Sequence, residues 1–248
     1  MVLSGTGCLK NDGERVKSAS WENSKAPSDG KPISTAPSPR IAPATHLASG
    51  RMLEQQNDLA GAIRQYEKAL AASPDLIEAH NRMGISFQKL ERYMDAEEAF
   101  KRGIRIAPDS AMLHNNLGYC LLVQNKYQPA EREFRDALVI SPTFERARMN
   151  LGIVLAKTDR IKESVEAFNL VVPAEVSYYN VAVLCVEQQK YQAAADALNR
   201  CLKINPDYLP ARKELNAILA LADEARGPDR IHVRMAGDPD AESIDVEP

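Results

Sequence analysis

Three of the four histidines are the residues whose type and spacing first suggest chemistry. His46, His80 and His114 are each 34 residues apart, and imidazole is a common ligand of zinc. Zinc needs its nitrogen ligands at about 2.0–2.1 Å, whereas the axes of neighbouring helices lie roughly 8–10 Å apart. If the histidines occupy equivalent helices of a repeat, they cannot share one ion. We therefore expect them to pack in separate units, and we predict no metal site and no cofactor.

The cysteines indicate neither a zinc site nor a disulfide framework. Cys8, Cys120, Cys185 and Cys201 include no CxxC pair and no Cys/His spacing typical of zinc. The last three fall at core-facing or near-core positions of a periodic region, where a cysteine usually serves as a small buried side chain. We expect these thiols to be reduced.

Signals for catalysis and for nucleic-acid binding are lacking in the sequence. Acidic residues such as Glu97 and Glu98 fall on faces expected to be solvated, and none of the motifs GxGxxG, GxxxxGK[ST] or GxSxG occurs. The net charge is −3 and no basic stripe is present, so we expect no nucleic-acid partner. We predict no catalytic residues, no enzymatic activity and no small-molecule substrate. The sequence contains no run of eighteen apolar residues, so it predicts no membrane span.

The elements that position these residues repeat with one period. Gly50, Gly84, Gly118 and Gly152 are each 34 residues apart. Two further series keep this spacing, with one interval of 30 after the fourth unit: Ala62, Ala96, Ala130, Ser164, Ala194; and Tyr66, Phe100, Phe134, Phe168, Leu198. Pro74, Pro108 and Pro142 are also 34 residues apart, and Pro206 lies 64 residues further on, which is 34 plus 30. Four residues make about one helical turn. We therefore predict that the helix ending near Val171 or Val172 is about a turn shorter than its counterparts, and that stacking continues beyond it.

Each unit has the pattern of a helical hairpin. In the third unit, Leu117, Gly118 and Leu121 have helical spacing, and so do Ala130 and Phe134. Two helices of three to four turns with a short link fit 34 residues. The small residues let the two backbones approach, and the aromatic ring fills the remaining space. The proline that closes most units ends the second helix.

This pattern resembles the tetratricopeptide-repeat (TPR) family, whose units combine Gly, a large apolar residue, Ala, Phe or Tyr, Ala and Pro. The third unit matches best, with Leu117, Gly118, Leu121, Tyr127, Ala130, Phe134, Ala137 and Pro142. The resemblance implies an all-α fold, a right-handed solenoid of five helix-turn-helix repeats plus a C-terminal capping helix. The expected repeats are residues 44–76, 77–110, 111–144, 145–174 and 175–208, and the expected capping helix is 208–225.

The two ends of the chain differ from this periodic middle. Residues 1–43 are rich in Ser, Pro, Gly and Thr, and we predict a disordered tether. Residues 226–248 carry Gly, Pro and acidic residues, and we predict a flexible tail.

Cys8 lies in this tether, behind a run of small residues that resembles the end of a bacterial lipoprotein signal. Gly5 stands where leucine is usual, and only seven residues precede the cysteine, with no basic segment and no apolar stretch. Either the true start lies upstream and Cys8 is lipidated, or the likeness is accidental. We favour the lipoprotein, and hence a membrane-anchored location on the periplasmic side over a cytoplasmic one.

The family resemblance implies a scaffold or adaptor that binds a partner polypeptide in its concave groove. Tether and repeats together also resemble the TPR lipoproteins of bacterial pilus assembly, of the tight-adherence type. Positions that carry Lys and Asn in carboxylate-gripping co-chaperones read Asn81 and Ile85, then Asn115 and Tyr119, so that function is excluded. A self-associating structural protein and a regulatory subunit of a separately encoded enzyme remain as alternatives.

The repeat phase also predicts the residues that line the groove. They are Ile85, Asn116, Tyr119, Leu122, Met149, Asn150, Ile153, Tyr179, Asn180 and Val183. Apolar patches that remain on a folded surface usually mark binding sites, and tyrosine offers a large contact area with a polar tip. We expect an extended or helical peptide with apolar anchors, whose backbone the asparagines hydrogen-bond. The alternative is that these side chains only pack between neighbouring hairpins.

Overall fold

The computed structural model describes residues 41–224, and this part of the chain folds into α-helices joined by short links. The helices are α1 (Pro43–Gln55), α2 (Leu59–Ala72), α3 (Ile77–Lys89), α4 (Tyr93–Ile106), α5 (Ala111–Val123), α6 (Tyr127–Ile140), α7 (Glu145–Lys157), α8 (Ile161–Asn169), α9 (Ala174–Glu187), α10 (Tyr191–Ile204) and α11 (Leu209–Glu224). Consecutive helices pair as five hairpins, and α11 follows them. The predicted all-α solenoid of five repeats with a capping helix is confirmed.

The links end the first helix of each hairpin in the same way. Each link contains one non-glycine residue with a positive φ of 59–64°: Asn57, Glu91, Asn125, Asp159 and Gln189. In the third hairpin the amide of Lys126 donates to the carbonyl of Leu121 at 3.0 Å. This bond spans six residues across a left-handed residue, which is the Schellman arrangement that terminates a helix. The chain therefore reverses within three residues at every hairpin.

In four hairpins a glycine faces a buried aromatic ring, and this contact determines how closely the two helices pack. A Cβ atom on Gly118 would lie 2.7 Å from Cε1 of Phe134, and one on Gly84 would lie 2.6 Å from Cε1 of Phe100. Both rings are fully buried. In the fifth hairpin Ala182 and Leu198 hold these positions, because an aliphatic side chain leaves room for the methyl group.

Packing between hairpins places the first helices on the inside of the curve. Each second helix packs on the first helix of the next hairpin, and successive first helices also touch one another. No comparable contact joins successive second helices between residues 41 and 224. The first helices are therefore the more closely spaced layer, and the inner surface belongs to α1, α3, α5, α7 and α9.

The fourth hairpin is shortened as the repeat spacing predicted. Helix α8 has 9 residues, whereas the other second helices each have 14. It ends at Asn169, slightly before the predicted end, and the amides of Val171 and Val172 both donate to the carbonyl of Phe168. Helix α9 still packs on α8, and it contacts α7 more extensively than other successive first helices contact each other. Stacking therefore continues through the deletion.

Helix α11 covers the apolar end of the stack. Ala211, Leu215 and Ile218 are buried in one cluster with Leu198 of α10, while Lys213 is exposed. Such a cap, apolar inside and polar outside, is what a solenoid needs at its end. Within residues 41–224, no helix has both the length and the apolar character required to cross a membrane.

Candidate partner-binding groove

The inner face of α5 carries a row of three exposed apolar side chains. Met112, Tyr119 and Val123 expose 49, 42 and 38 % of their surface. Because they stand at positions i, i+7 and i+11, they share one face of the helix. Tyr119 was predicted from the repeat phase, whereas Met112 and Val123 were not. Their helical spacing from Tyr119 is the signal that could have identified them.

The other predicted groove residues are less exposed. Those that are partly buried are Ile85, Asn116, Met149, Ile153, Tyr179, Asn180 and Val183. Leu122 and Asn150 are each only 8 % exposed, so they support the groove from beneath its surface. Ile153 packs against both apolar clusters of the solenoid. The same side chains thus both pack between hairpins and line the inner surface.

Four asparagines form a hydrogen-bonded network across α3, α5 and α7. Asn116 donates to Asn81 Oδ1 at 2.8 Å, and Asn150 donates to Asn115 Oδ1 at 3.0 Å. Asn115 donates to Asn116 Oδ1 at 3.2 Å and connects the two pairs. Each amide has two N–H donors and two lone pairs, so Asn116, which is only partly buried, keeps hydrogen-bonding capacity. The network joins three consecutive first helices.

An aromatic pair lies at the C-terminal end of the inner surface. The rings of Tyr179 and Tyr208 make an edge-to-face contact with centroids 5.4 Å apart. Burial is the main cause that raises the pKa of Tyr208. Tyr179 of α9 therefore packs against the residue just before α11, and it also belongs to the predicted groove.

Charged side chains dominate the opposite, N-terminal end. Arg51 on α1 lies 3.2 Å from Glu78, and Arg82 on α3 lies 3.1 Å from Glu54. Ser86 donates to the other oxygen of Glu54 at 2.8 Å. The inner surface thus changes from charged on α1 and α3 to apolar on α5, α7 and α9.

Glu97, which was expected on a solvated face, is instead a buried carboxylate that joins the second and third hairpins away from this surface. Burial would raise the pKa of Glu97, but hydrogen bonds from Lys126, Lys101 and Gln124 outweigh it and hold the pKa at about 2. The bonds from Lys126 and Lys101 measure 2.6 and 2.9 Å. A carboxylate held ionised by three donors is suited to a structural ion pair rather than to proton transfer.

The histidines lie one per hairpin, on α1, α3 and α5, as the spacing predicted. His46 Nδ1 donates to Gln65 at 2.9 Å. His80 Nε2 donates to the carbonyl of Pro74 at 2.9 Å, and its buried Nδ1 has no partner. His114 Nδ1 lies 2.8 Å from a carboxylate oxygen of Glu133.

The three cysteines within the described residues, Cys120, Cys185 and Cys201, are buried and unpaired. Burial raises the pKa of each thiol, for Cys120 to about 11. Cys8, nearly all of the predicted tether and the predicted tail at 226–248 lie outside the described residues.

Solved structures of other proteins have similar folds. YrrB, described as a TPR protein with an unusual peptide-binding site, is 22% identical with a TM-score of 0.55, over 69% of this chain and 90% of its own. MamA from Desulfovibrio magneticus is 16% identical with a TM-score of 0.56, over 67% and 96%. PilF from Pseudomonas aeruginosa is 20% identical with a TM-score of 0.53, over 75% and 92%. At these identities the likeness shows the fold alone. A search of curated protein sequences finds no match.

Family models give the assignment. Models described as tetratricopeptide repeat match residues 81–143 and 176–208, and one described as TPR repeat matches residues 50–91. Together they cover just over half of the chain, and every matched segment includes helices of the solenoid. The chain belongs to the tetratricopeptide-repeat family.

Proposed function

We propose that this protein is an adaptor that binds a partner polypeptide on the inner surface of α5, α7 and α9. Membership of the TPR family supports a protein-interaction scaffold, since TPR arrays generally bind proteins rather than catalyse reactions. The observation that carries the proposal is the exposed row Met112, Tyr119 and Val123. Contiguous apolar side chains on a folded surface are typical of binding sites. YrrB, which shares the fold, is described as having a peptide-binding site.

The dimensions of the row suggest the kind of ligand. Met112 and Val123 are eleven residues apart on one helix, a rise of about 16 Å, which about five residues of an extended peptide would span. Apolar anchors would pack against Tyr119, and the free hydrogen-bonding capacity of Asn116 would serve the peptide backbone. We therefore propose a ligand segment with apolar side chains at alternate positions.

The test compares an inner-face variant with a matched outer variant. Random peptides are selected on the full chain, and their dissociation constants are measured by fluorescence anisotropy. Tyr119→Ala combined with Met112→Ala should weaken binding at least about tenfold, because central apolar anchors carry most of the energy of an interface. Val139→Ala on α6, which is 81% exposed, is the control. Tyr179 is left intact because it packs on Tyr208.

Unchanged melting temperatures would show that both variants remain folded. If the two variants bind the selected peptides equally well, the inner surface is not the site. Light scattering of the same samples addresses the alternative of self-association, which would give a dimer or larger species without ligand.

We also propose that the adaptor is tethered to a bacterial membrane through Cys8, for assembly or secretion. Support comes from the small residues before Cys8, the polar segment after it, and the shared fold with PilF. The chain is expressed in a bacterial host from an upstream start, and the mass of its N-terminal peptide is measured. A diacylglycerol-modified Cys8 and a membrane-bound protein that Cys8→Ser releases would support the proposal. An unmodified cysteine in a protein of the soluble fraction would contradict it.

A further inference from the structure

The third hairpin brings together three groups that are typical metal ligands. His114 on α5 and the carboxylates of Glu133 and Asp136 on α6 each place one ligand atom within 4.8 Å of the others. The side chains of His114 and Glu133 are 12 and 24 % exposed, and Asp136 is exposed. None of the three belongs to the proposed peptide-binding surface.

The hydrogen bonds of His114 determine which nitrogen faces the carboxylates. Nε2 lies 3.1 Å from the carbonyl oxygen of Pro108, which can only accept, so Nε2 carries a hydrogen. In a neutral ring the lone pair of Nδ1 then points toward Glu133 Oε2, 2.8 Å away. Two lone pairs at this distance repel each other unless a proton or a metal ion lies between them. His80 makes the same bond to the carbonyl of Pro74, so this bond belongs to the repeat; it is also how a histidine that binds a metal is usually oriented.

The first and second hairpins carry other residues at the positions of Glu133 and Asp136. In the first hairpin the equivalent residues are Gln65 and Lys68, and in the second they are Ala99 and Arg102. There the histidine faces a neutral amide or has no partner at Nδ1. Two carboxylates replace these residues in the third hairpin, and a single proton on His114 would pair with only one of them.

The spacing of the histidines predicts no metal site, but it does not consider carboxylates of the same hairpin. We propose that His114, Glu133 and Asp136 bind one divalent transition-metal ion, for which Zn²⁺ is the probe. One nitrogen and two carboxylate oxygens are a donor set that zinc accepts, whereas magnesium and calcium prefer oxygen alone. Tetrahedral zinc with bonds of about 2.0–2.1 Å separates its ligands by about 3.3 Å. His114 and Glu133 must therefore part by about half an ångström, and water completes the coordination. The ion would clamp α5 to α6.

The experiment uses the full chain, stripped of metal with EDTA and dialysed. Zinc chloride is added in a calorimeter, and the melting temperature is measured with and without zinc. The wild type should bind one equivalent that Glu133→Gln combined with Asp136→Asn removes, and zinc should raise only the wild-type melting temperature. The double variant should stay folded, because its glutamine recreates the His46–Gln65 pair of the first hairpin.

Glu67→Gln on α2 is the control for removal of a surface carboxylate, and it should keep the wild-type stoichiometry and affinity. Zinc bound by other histidines or by Cys8 would bind the wild type and the double variant alike. The difference in zinc binding between the two proteins therefore reports on this site alone. Equal stoichiometry and affinity in the wild type and the double variant would overturn the proposal, and so would a wild type that binds no zinc at micromolar concentrations.

Discussion

Gly118→Ala should destabilise the third hairpin even though it removes a glycine from the middle of a helix. The added Cβ would lie 2.7 Å from Cε1 and 2.9 Å from Cδ1 of Phe134. Carbon atoms in contact prefer about 3.5–4.0 Å, so the ring and the methyl group must separate by about 0.8 Å. Phe134 is fully buried and cannot move without displacing its neighbours.

Two opposing terms set the magnitude. Replacing glycine by alanine in a helix interior favours the folded state by about 1 kcal/mol, whereas overpacking of a core costs about 1–3 kcal/mol. We therefore expect Gly118→Ala to lower the free energy of unfolding by up to about 2 kcal/mol. Gly118→Leu adds three more carbon atoms at the same crossing and should lower it further.

The assay is urea unfolding followed by far-UV circular dichroism, with Gly103→Ala on α4 as the matched control. A Cβ atom on Gly103 would meet Cδ1 of Leu113 at 3.0 Å, a smaller overlap than at Gly118, although Leu113 is also fully buried. The gain of about 1 kcal/mol from removing a helical glycine is therefore opposed by less overlap, and Gly103→Ala should be closer to neutral than Gly118→Ala. If Gly118→Ala is as stable as Gly103→Ala, the contact with Phe134 does not set the distance between the helices.

Two further predictions concern polar groups in the core. Glu97→Gln should lower stability at pH 7 by about 1–3 kcal/mol, because Lys126 loses a charged partner. The wild-type pKa of about 2 lies below the ordinary 4.5. The stability that Glu97 contributes is therefore complete above pH 4.5 and is lost as the pH falls toward 2. If the urea midpoints of wild type and variant shift equally between pH 7 and pH 3, this prediction is wrong. Ala99→Gln should raise the free energy of unfolding by about 0.5–1.5 kcal/mol, seen as a higher urea midpoint, because the new amide can donate to the unpartnered Nδ1 of His80 from the position that Gln65 holds beside His46. A lower midpoint would show that the amide does not fit.

The sequence predicts the fold because the repeated residues act through short-range sterics. A glycine opposite an aromatic ring fixes how two helices cross, and this relation needs only the chain of one hairpin, as Gly118 and Phe134 show. The deletion near Pro173 predicts a shorter α8 for the same reason. The end of α8 is predicted less well. The helix ends at Asn169, and the bond from the amide of Val171 to the carbonyl of Phe168 has the i→i+3 spacing of a tightened last turn.

The inner surface could be predicted only in part, since its exposure depends on how consecutive hairpins approach each other. The repeat phase places Leu122 and Asn150 on the inner side, but both are buried against neighbouring helices. The same phase does not distinguish the exposed Met112 from equivalent residues in other units. Asn116 pairs with an asparagine 35 residues earlier, one more than the repeat, and this offset appears only when two hairpins are stacked.

The shortened α8 connects the fold to the proposed function. Helix α8 is five residues shorter than the other second helices, and α9 contacts α7 more extensively than other successive first helices contact each other. Met149 and Ile153 of α7 consequently join the apolar cluster that contains Tyr179. Side chains fixed by such packing lose little conformational entropy when a ligand binds. A ligand of the proposed kind would therefore meet apolar side chains that packing already holds in place, next to the exposed row on α5.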